Sequence, residues 1–116
     1  MHEVSIALGM VEELKRIARE NNADKITLIK LKIGKMSGIV TDSLKFAFDA
    51  IKLEHPLLLS AEILINEVPL IYKCNDCSST FETEDIHFPS CTKCESYNLK
   101  LISGDEQHIE NVELEV

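Results

Sequence analysis

The chain has 116 residues, of which 45% are apolar and 28% are charged, and this size fits one globular domain with at most a small appendage. A long multidomain enzyme is therefore excluded. The formal net charge is −8, and the last twelve residues hold five acidic side chains and no basic one. Because nucleic-acid affinity comes mostly from neutralised phosphates, this acidity argues against a nucleic-acid partner.

The sequence carries no signal for membrane insertion or secretion. No apolar run approaches the ~20 residues that are needed to cross a bilayer. Glu3, Glu12 and Glu13 interrupt the first apolar positions, and no basic segment precedes them. We therefore expect a cytoplasmic protein with no membrane partner. In that reducing compartment, cysteines serve more often as metal ligands than as disulfides.

Two stretches have helical periodicity. Apolar residues recur every three or four positions from Val4 to Ile17, while charged residues take the opposite face. A second apolar stripe runs from Leu44 to Ile51. The helix that carries it is expected to end at His55-Pro56, with the polar residues 41 to 43 (Thr, Asp, Ser) as candidate N-caps. The pattern predicts two amphipathic helices.

Alternation of apolar and polar residues predicts three half-buried strands, around residues 26 to 33, 61 to 68 and 107 to 115. Residues 70 to 104 differ from the rest, because they lack helical periodicity and contain all four cysteines. The predicted fold is α/β, with two helices packed on one face of a three-stranded sheet. A cysteine-rich module is inserted before the last strand.

Two cysteine pairs form the strongest motif. They are Cys74-Asn75-Asp76-Cys77 and Cys91-Thr92-Lys93-Cys94, with thirteen residues between them. Two cysteines separated by two residues turn both sulfur atoms toward one point, and two such knuckles supply four thiolates to a tetrahedral zinc ion. The alternatives are unrelated buried cysteines, two redox-active pairs or rubredoxin-type iron, although the proline and glycine residues usual around an iron-binding knuckle are missing.

Four cysteine ligands leave zinc no open position for a water molecule, so the ion is expected to be structural. It would organise a zinc-ribbon domain over residues 70 to 104, while residues 1 to 69 and 105 to 116 form the other domain. His87 lies four residues before Cys91 and could approach the metal. We favour a solvated loop position for this histidine.

The start of the chain is a second candidate metal site. A bulky second residue normally leaves the initiator methionine in place, so the amine of Met1, the amide nitrogen of His2 and its imidazole can form adjacent chelate rings. These donors suit nickel or copper with a square-planar preference. Glu3 could complete the square, or it could simply place a favourable charge at a helix start. The tripeptide alone is a weak signal, but a helix that begins near His2 would partly preorganise the site.

Five stretches, taken in order, form a far more specific combination than any one of them. They are residues 1 to 7 (MHEVSIA), 32 to 38 (KIGKMSG) and 44 to 48 (LKFAF), the paired cysteines, and residues 102 to 106 (ISGDE). This combination resembles the hydrogenase maturation nickel chaperones of the HypA/HybF family over nearly the whole chain.

The resemblance implies a metallochaperone that binds Ni(II) through His2 and the terminal nitrogens, with Glu3 as a further candidate. It also implies structural Zn(II) on Cys74, Cys77, Cys91 and Cys94. Family members deliver nickel to the precursor of the nickel-iron hydrogenase large subunit with the help of a GTPase of the maturation pathway. Some also serve urease, so urease accessory proteins are further candidate partners. These partnerships are inherited by analogy, since fold similarity alone does not establish them.

The sequence departs from the family pattern in the second knuckle, where Thr92 stands in place of the usual proline. Threonine can adopt the same turn, so the zinc prediction holds. Asp42 lies at the start of the second helix, where relatives often carry an acid. We interpret it as a helix cap, with nickel contact as the weaker alternative.

A zinc-ribbon protein-interaction module without nickel transfer is the competing interpretation. In that case the helices and the sheet would only dock a protein partner. An enzyme is not expected, because no nucleophile with a plausible base and no paired acids occur at a recognisable spacing.

Overall fold

The structure is a computed structural model that describes residues 2 to 116, except for the side chain of His2. Its elements are α1 (His2–Glu20), β1 (Lys25–Gly34), α2 (Thr41–Ile51), β2 (Glu62–Val68), β3 (Ile71–Cys74), β4 (Thr80–Glu82), β5 (Leu99–Ser103) and β6 (Gln107–Glu115). Both predicted helices and all three predicted strands are present. Within the described part of the chain, neither helix combines the length and the apolar character that a membrane span requires.

The chain divides into two compact units. The first contains the described residues up to Lys32, together with Ile39–Asn66 and His108–Val116. The second contains Ile33–Gly38 and Glu67–Gln107, so it joins the turn after β1 to the cysteine-rich segment. The assignment of nickel to one domain and zinc to the other stays a prediction.

The first unit has an aliphatic core with one aromatic ring, that of Phe48. The side chains of this core that come from the helices, β1 and β2 are each at most 7% exposed: Ala7, Met10, Val11, Leu14, Ala18, Ile26, Ile29, Leu31, Leu44, Ala47, Phe48 and Ile63. These positions confirm the helical and alternating patterns read from the sequence. The first stripe reaches the surface at its start, where Val4 and Leu8 are 40% and 50% exposed.

The first sheet has the strand order β2-β1-β6, with β1 in the centre. The backbone N–H of Asp24 donates to the carbonyl of Glu115 (3.0 Å), and that of Gly34 donates to the carbonyl of Glu106 (2.7 Å). Residue numbers rise along one strand as they fall along the other, so β1 and β6 are antiparallel. The last strand therefore closes the predicted three-stranded sheet.

The second unit contains a sheet that was not predicted, with antiparallel strands in the order β4-β3-β5. Tyr72 on the central strand faces Phe81 on one side and Leu101 on the other. Its strands have only three to five residues, which is too short for alternation to show in the sequence. The small core beneath them consists of Leu70, Tyr72, Cys74, Phe81 and Cys91.

The two ends of α2 differ from the prediction. Its N-cap residue is Val40, which has extended backbone angles and no capping side chain. Thr41, Asp42 and Ser43 already lie inside the helix, so the cap interpretation of Asp42 is wrong. The helix ends at Ile51 and is followed by two short 3-10 turns on either side of His55, because a residue before proline favours extended backbone angles.

Candidate metal sites

Two of the predicted nickel ligands, Met1 and the side chain of His2, lie outside the described part of the chain. Nothing is described of Met1, and of His2 only the backbone is described, as the first residue of α1. The helix thus begins where a preorganised terminal site requires it to begin. The assignment of nickel to His2 stays a prediction.

Glu3 is the first predicted site residue whose side chain is described. Its carboxylate accepts a hydrogen bond from the backbone N–H of Val40 at 3.4 Å, and it also lies in the first turn of α1, where a negative charge is favourable. Because Val40 is the N-cap of α2, Glu3 links the start of one helix to the start of the other. This contact spans 37 residues of sequence, so no local pattern could reveal it.

Asp42 lies in the first turn of α2, where its charge favours the helix dipole. It also borders a mainly apolar cavity of about 440 Å³ in the first unit. The other residues that line this cavity are Val4, Ser43, Phe46, Ala47, Ala50 and Ile51.

The structure brings the four predicted zinc ligands together. The sulfur atoms of Cys74, Cys77, Cys91 and Cys94 all lie within 4.8 Å of one another. Two of the distances across the knuckles are shorter, at 3.6 Å between Cys74 and Cys94 and 3.5 Å between Cys77 and Cys91. Four thiolates at about 2.3 Å from a tetrahedral zinc ion lie about 3.8 Å from one another, so this group fits zinc. His87 is exposed and does not belong to the group.

The two knuckles have the same backbone geometry. In the first, the N–H of Ser78 donates to the carbonyl of Cys74 (2.9 Å), and the N–H of Cys74 donates to the carbonyl of Ser79 (2.8 Å). The equivalent bonds around Cys91 have the same lengths. Ser78 and Glu95 close the two turns with φ angles of 65° and 63°, in the left-handed region that glycine tolerates best. Because no glycine stands at these positions, the left-handed residues within the predicted knuckles could not be read from the sequence.

The thiols differ in their affinity for a proton. Hydrogen bonds from the side chain and backbone of Ser79, and a further one from Cys91, lower the pKa of the Cys77 thiol to about 6. For Cys94, the backbone N–H of Ser96 favours the thiolate, but desolvation and the neighbouring thiols outweigh it and raise the pKa to about 12. The surroundings of Cys77 therefore favour the thiolate form, which is the form that binds a metal, whereas those of Cys94 favour the protonated thiol.

Two of the stretches that carry the family resemblance lie side by side in the second unit. The N–H of Met36 donates to the carbonyl of Gly104 at 2.8 Å, and the Glu106 carboxylate accepts the N–H of Gly104 at 3.0 Å. Through these hydrogen bonds, both stretches help to hold the second unit together.

Comparison with known proteins agrees with this arrangement. A family model described as hydrogenase/urease nickel incorporation, metallochaperone, hypA matches residues 1–114. The chain belongs to the HypA family. This membership confirms the resemblance read from the sequence, and it makes the protein a nickel-incorporation metallochaperone for hydrogenase maturation.

Individual HypA proteins resemble the chain over nearly its full length. The hydrogenase maturation factor HypA of Prosthecochloris aestuarii is 39% identical, over 99% of this chain and 100% of that protein. That of Desulfatibacillum aliphaticivorans is 37% identical, over 98% and 87% respectively. The solution structure of the Ni metallochaperone HypA from Helicobacter pylori superimposes with a TM-score of 0.68 at 25% identity, covering 97% of each chain.

Proposed function

We propose that this HypA family member binds Ni(II) at the start of α1, through His2 and the adjacent nitrogens, and delivers it to the maturing nickel-iron hydrogenase. The observation that carries the proposal is the family match, which spans residues 1–114 and so includes the Met-His-Glu start. The start of α1 at His2 supports it, because a ligand on a helix end is more fixed than one on a frayed terminus. Glu3 remains a candidate ligand, although its carboxylate already contacts Val40.

The proposed mechanism is ligand exchange without covalent chemistry. A chaperone must hold nickel against competing buffers and still release it, and a small set of nitrogen donors at a chain end meets both needs. Protons compete with nickel for an amine, an amide and an imidazole, so the nickel affinity is expected to fall as the pH is lowered. No step requires a catalytic residue.

The second part of the proposal is a structural Zn(II) ion on Cys74, Cys77, Cys91 and Cys94. The approach of the four sulfur atoms to within 4.8 Å supports it. The metal would supply the binding free energy that the second unit needs, because the core cluster of this unit contains only five buried residues. With four thiolate ligands the ion would have no open position for catalysis.

The proposed partners are the GTPase of the hydrogenase maturation pathway and the hydrogenase large-subunit precursor, with urease accessory proteins as a further possibility to test. The family description, which names both hydrogenase and urease, supports this set. A cytoplasmic location and the absence of nucleic-acid and membrane partners belong to the same proposal.

Calorimetric titration of Ni(II) into tag-free, zinc-loaded protein tests the nickel site. We expect His2→Ala, or one extra residue before Met1, to abolish nickel binding while one zinc per chain remains. His108→Ala is the matched control, because His108 is an exposed histidine on β6 of the same unit. Unchanged nickel affinity in both altered proteins would favour the zinc-ribbon interaction module without nickel transfer.

Zinc removal tests the second site. Hydrogen exchange measured before and after treatment with a strong chelator should show loss of protection in β3, β4 and β5, with α1 and α2 still protected. Wild-type protein that contains no zinc when purified from zinc-supplemented medium would contradict the assignment.

A further inference from the structure

Four polar side chains join the two knuckles outside the group of cysteines. The carboxylate of Asp76, in the first knuckle, accepts hydrogen bonds from the hydroxyl of Ser96 and from Nδ2 of Asn98 (3.3 Å). Oδ1 of Asn98 in turn accepts a bond from Nδ2 of Asn75 at 3.1 Å, and its backbone carbonyl accepts the N–H of Asn75 at 2.9 Å. Both Ser96 and Asn98 follow the second knuckle in the sequence.

These side-chain bonds connect one knuckle to the other, which the bonds inside each knuckle cannot do. The local backbone bonds shape the turns around Cys74 and Cys91, but they do not set the distance between the turns. The second knuckle lies between β4 and β5, in a stretch without regular strand structure. The sulfur atoms, the small apolar core and the pairing of β3 with β5, in which Cys74 lies opposite Leu99, also join this region. The contacts of Asn75 and Asp76 with Ser96 and Asn98 add direct bonds between the two knuckles.

We infer that Asp76, Ser96 and Asn98 are positioning residues of the metal site, and we call the three together the knuckle clamp. The inference rests on the proposed four-cysteine zinc site. Residues that orient metal ligands without touching the metal strongly affect how tightly the metal is held. Separation of the two knuckles frees two thiolates at once, so bonds that hold the knuckles together slow the release of the ion.

Electrostatics predicts the opposite effect for Asp76. Four thiolates around a divalent cation carry a net negative charge, so a nearby carboxylate disfavours the metal-bound thiolates. If only its charge mattered, removal of the Asp76 carboxylate would slow zinc release. If the clamp holds the knuckles together, the same change speeds release. The sign of the effect therefore separates the two explanations.

The test measures zinc transfer from the zinc-loaded full chain to excess 4-(2-pyridylazo)resorcinol, followed by absorbance. We expect release to be about threefold to tenfold faster for Asp76→Ala and for Ser96→Ala, at or below the usual range for such residues because Asp76 is exposed and Ser96 is only half-buried. The double variant Asp76→Ala/Ser96→Ala should release zinc no faster than the faster of the two single variants, because both changes remove the bond between Asp76 and Ser96. Ser96→Thr, which keeps the hydroxyl, should release zinc near the wild-type rate.

Glu82→Ala is the matched control, because Glu82 is an exposed acid on β4 in the same unit. It removes the same charge without touching the clamp and should leave the release rate unchanged. Equal or slower release from Asp76→Ala and Ser96→Ala would overturn the clamp while leaving the zinc site intact. Wild-type protein without zinc would overturn the site itself and the clamp with it. If Asp76→Ala does not fold, Ser96→Ala alone decides the outcome.

Discussion

Gly34 lies so close to Gly104 that a Cβ atom on Gly34 would overlap the carbonyl group of Gly104 and stand 2.7 Å from the amide nitrogen of Asp105. All of these neighbouring atoms belong to the backbone, so they cannot move aside as a flexible side chain could. Glycine is therefore required at position 34 for close approach of two chain segments within the second unit.

Gly34→Ala should destabilise the zinc-loaded protein by about 2 kcal/mol, in the range of other overpacked sites, because the backbone around Gly104 has to shift. The measurement is the midpoint of urea unfolding, followed by one probe in each unit. Gly9→Ala is the control, since nothing lies within 4 Å of a Cβ at this position of α1. That change should stabilise the helix by roughly 0.5–1 kcal/mol, and equal effects of the two substitutions would contradict the packing argument.

Phe46 and Phe48 are two residues apart on α2 but differ completely in exposure, at 77% and 0%. Phe48→Ala should cost about 3–5 kcal/mol because it leaves a cavity in the core of the first unit. Phe46→Ala should change the free energy of unfolding by less than about 0.5 kcal/mol, since its ring is mostly in solvent. Denaturant unfolding of both variants checks the burial, and a large loss from Phe46→Ala would show that the ring is covered in solution.

The contact between Glu3 and Val40 predicts a structural effect at a candidate nickel ligand. Glu3→Ala removes the acceptor for the Val40 N–H and should lower the free energy of unfolding by about 1 kcal/mol, as the loss of a helix cap does. Glu3→Gln keeps an acceptor and loses only the favourable charge in the first turn, so it should be less destabilised than Glu3→Ala. Glu12→Ala, on the exposed face of the same helix, controls for the loss of a charge. Identical unfolding of the alanine and glutamine variants would exclude the contact.

Lys35 and Glu84 provide a pH-dependent test within the second unit. The Lys35 ammonium donates to both carboxylate oxygens of Glu84, at 3.1 and 2.9 Å, and this hydrogen bonding, with the attraction between the charges, raises the pKa of Lys35 above 10.5. Because the folded pKa is raised, the contribution of this pair to stability is fully present below pH 10.5 and is lost as the pH rises through the folded value.

Carbon-13 NMR titration of the Lys35 side chain would measure this shift. The titration should run from about pH 9 to about pH 12, because this range surrounds the pKa of a lysine. In Glu84→Gln the midpoint should move down toward the ordinary lysine value. The exposed Lys100 serves as an internal reference. The pair is exposed, so Glu84→Gln should hardly change the unfolding midpoint at neutral pH. A Lys35 midpoint that is the same in both proteins would contradict the contact.

Sequence reasoning worked where the signal was periodic or local. The stripes around Leu14 and Phe48 predicted both helices, and the alternation of apolar and polar residues predicted the three strands of the first sheet. The spacing of the cysteines predicted the grouping of four thiols. The side-chain hydrogen bonds at the knuckles and at the helix starts, in contrast, join residues far apart in the sequence. Asp76 lies 20 residues from Ser96, and Glu3 lies 37 residues from Val40. At the start of α2, three polar residues suggested a local cap, and a contact from the other helix took its place.

The cysteine spacing predicted the two knuckles but not the left-handed residues that close them. Glycine usually marks a left-handed residue, but Ser78 and Glu95 adopt that conformation here without it. The second sheet was missed because its strands are too short to show alternation.

Cys74 and Cys91 are at once proposed ligands of the metal and two of the five buried residues at the centre of the second unit. Neither can release zinc and turn outward without also opening that centre to water. Escape of the ion and exposure of the surrounding chain are then a single event. With the proposed zinc ion bound, we expect the second unit to resist proteases for as long as the ion is held.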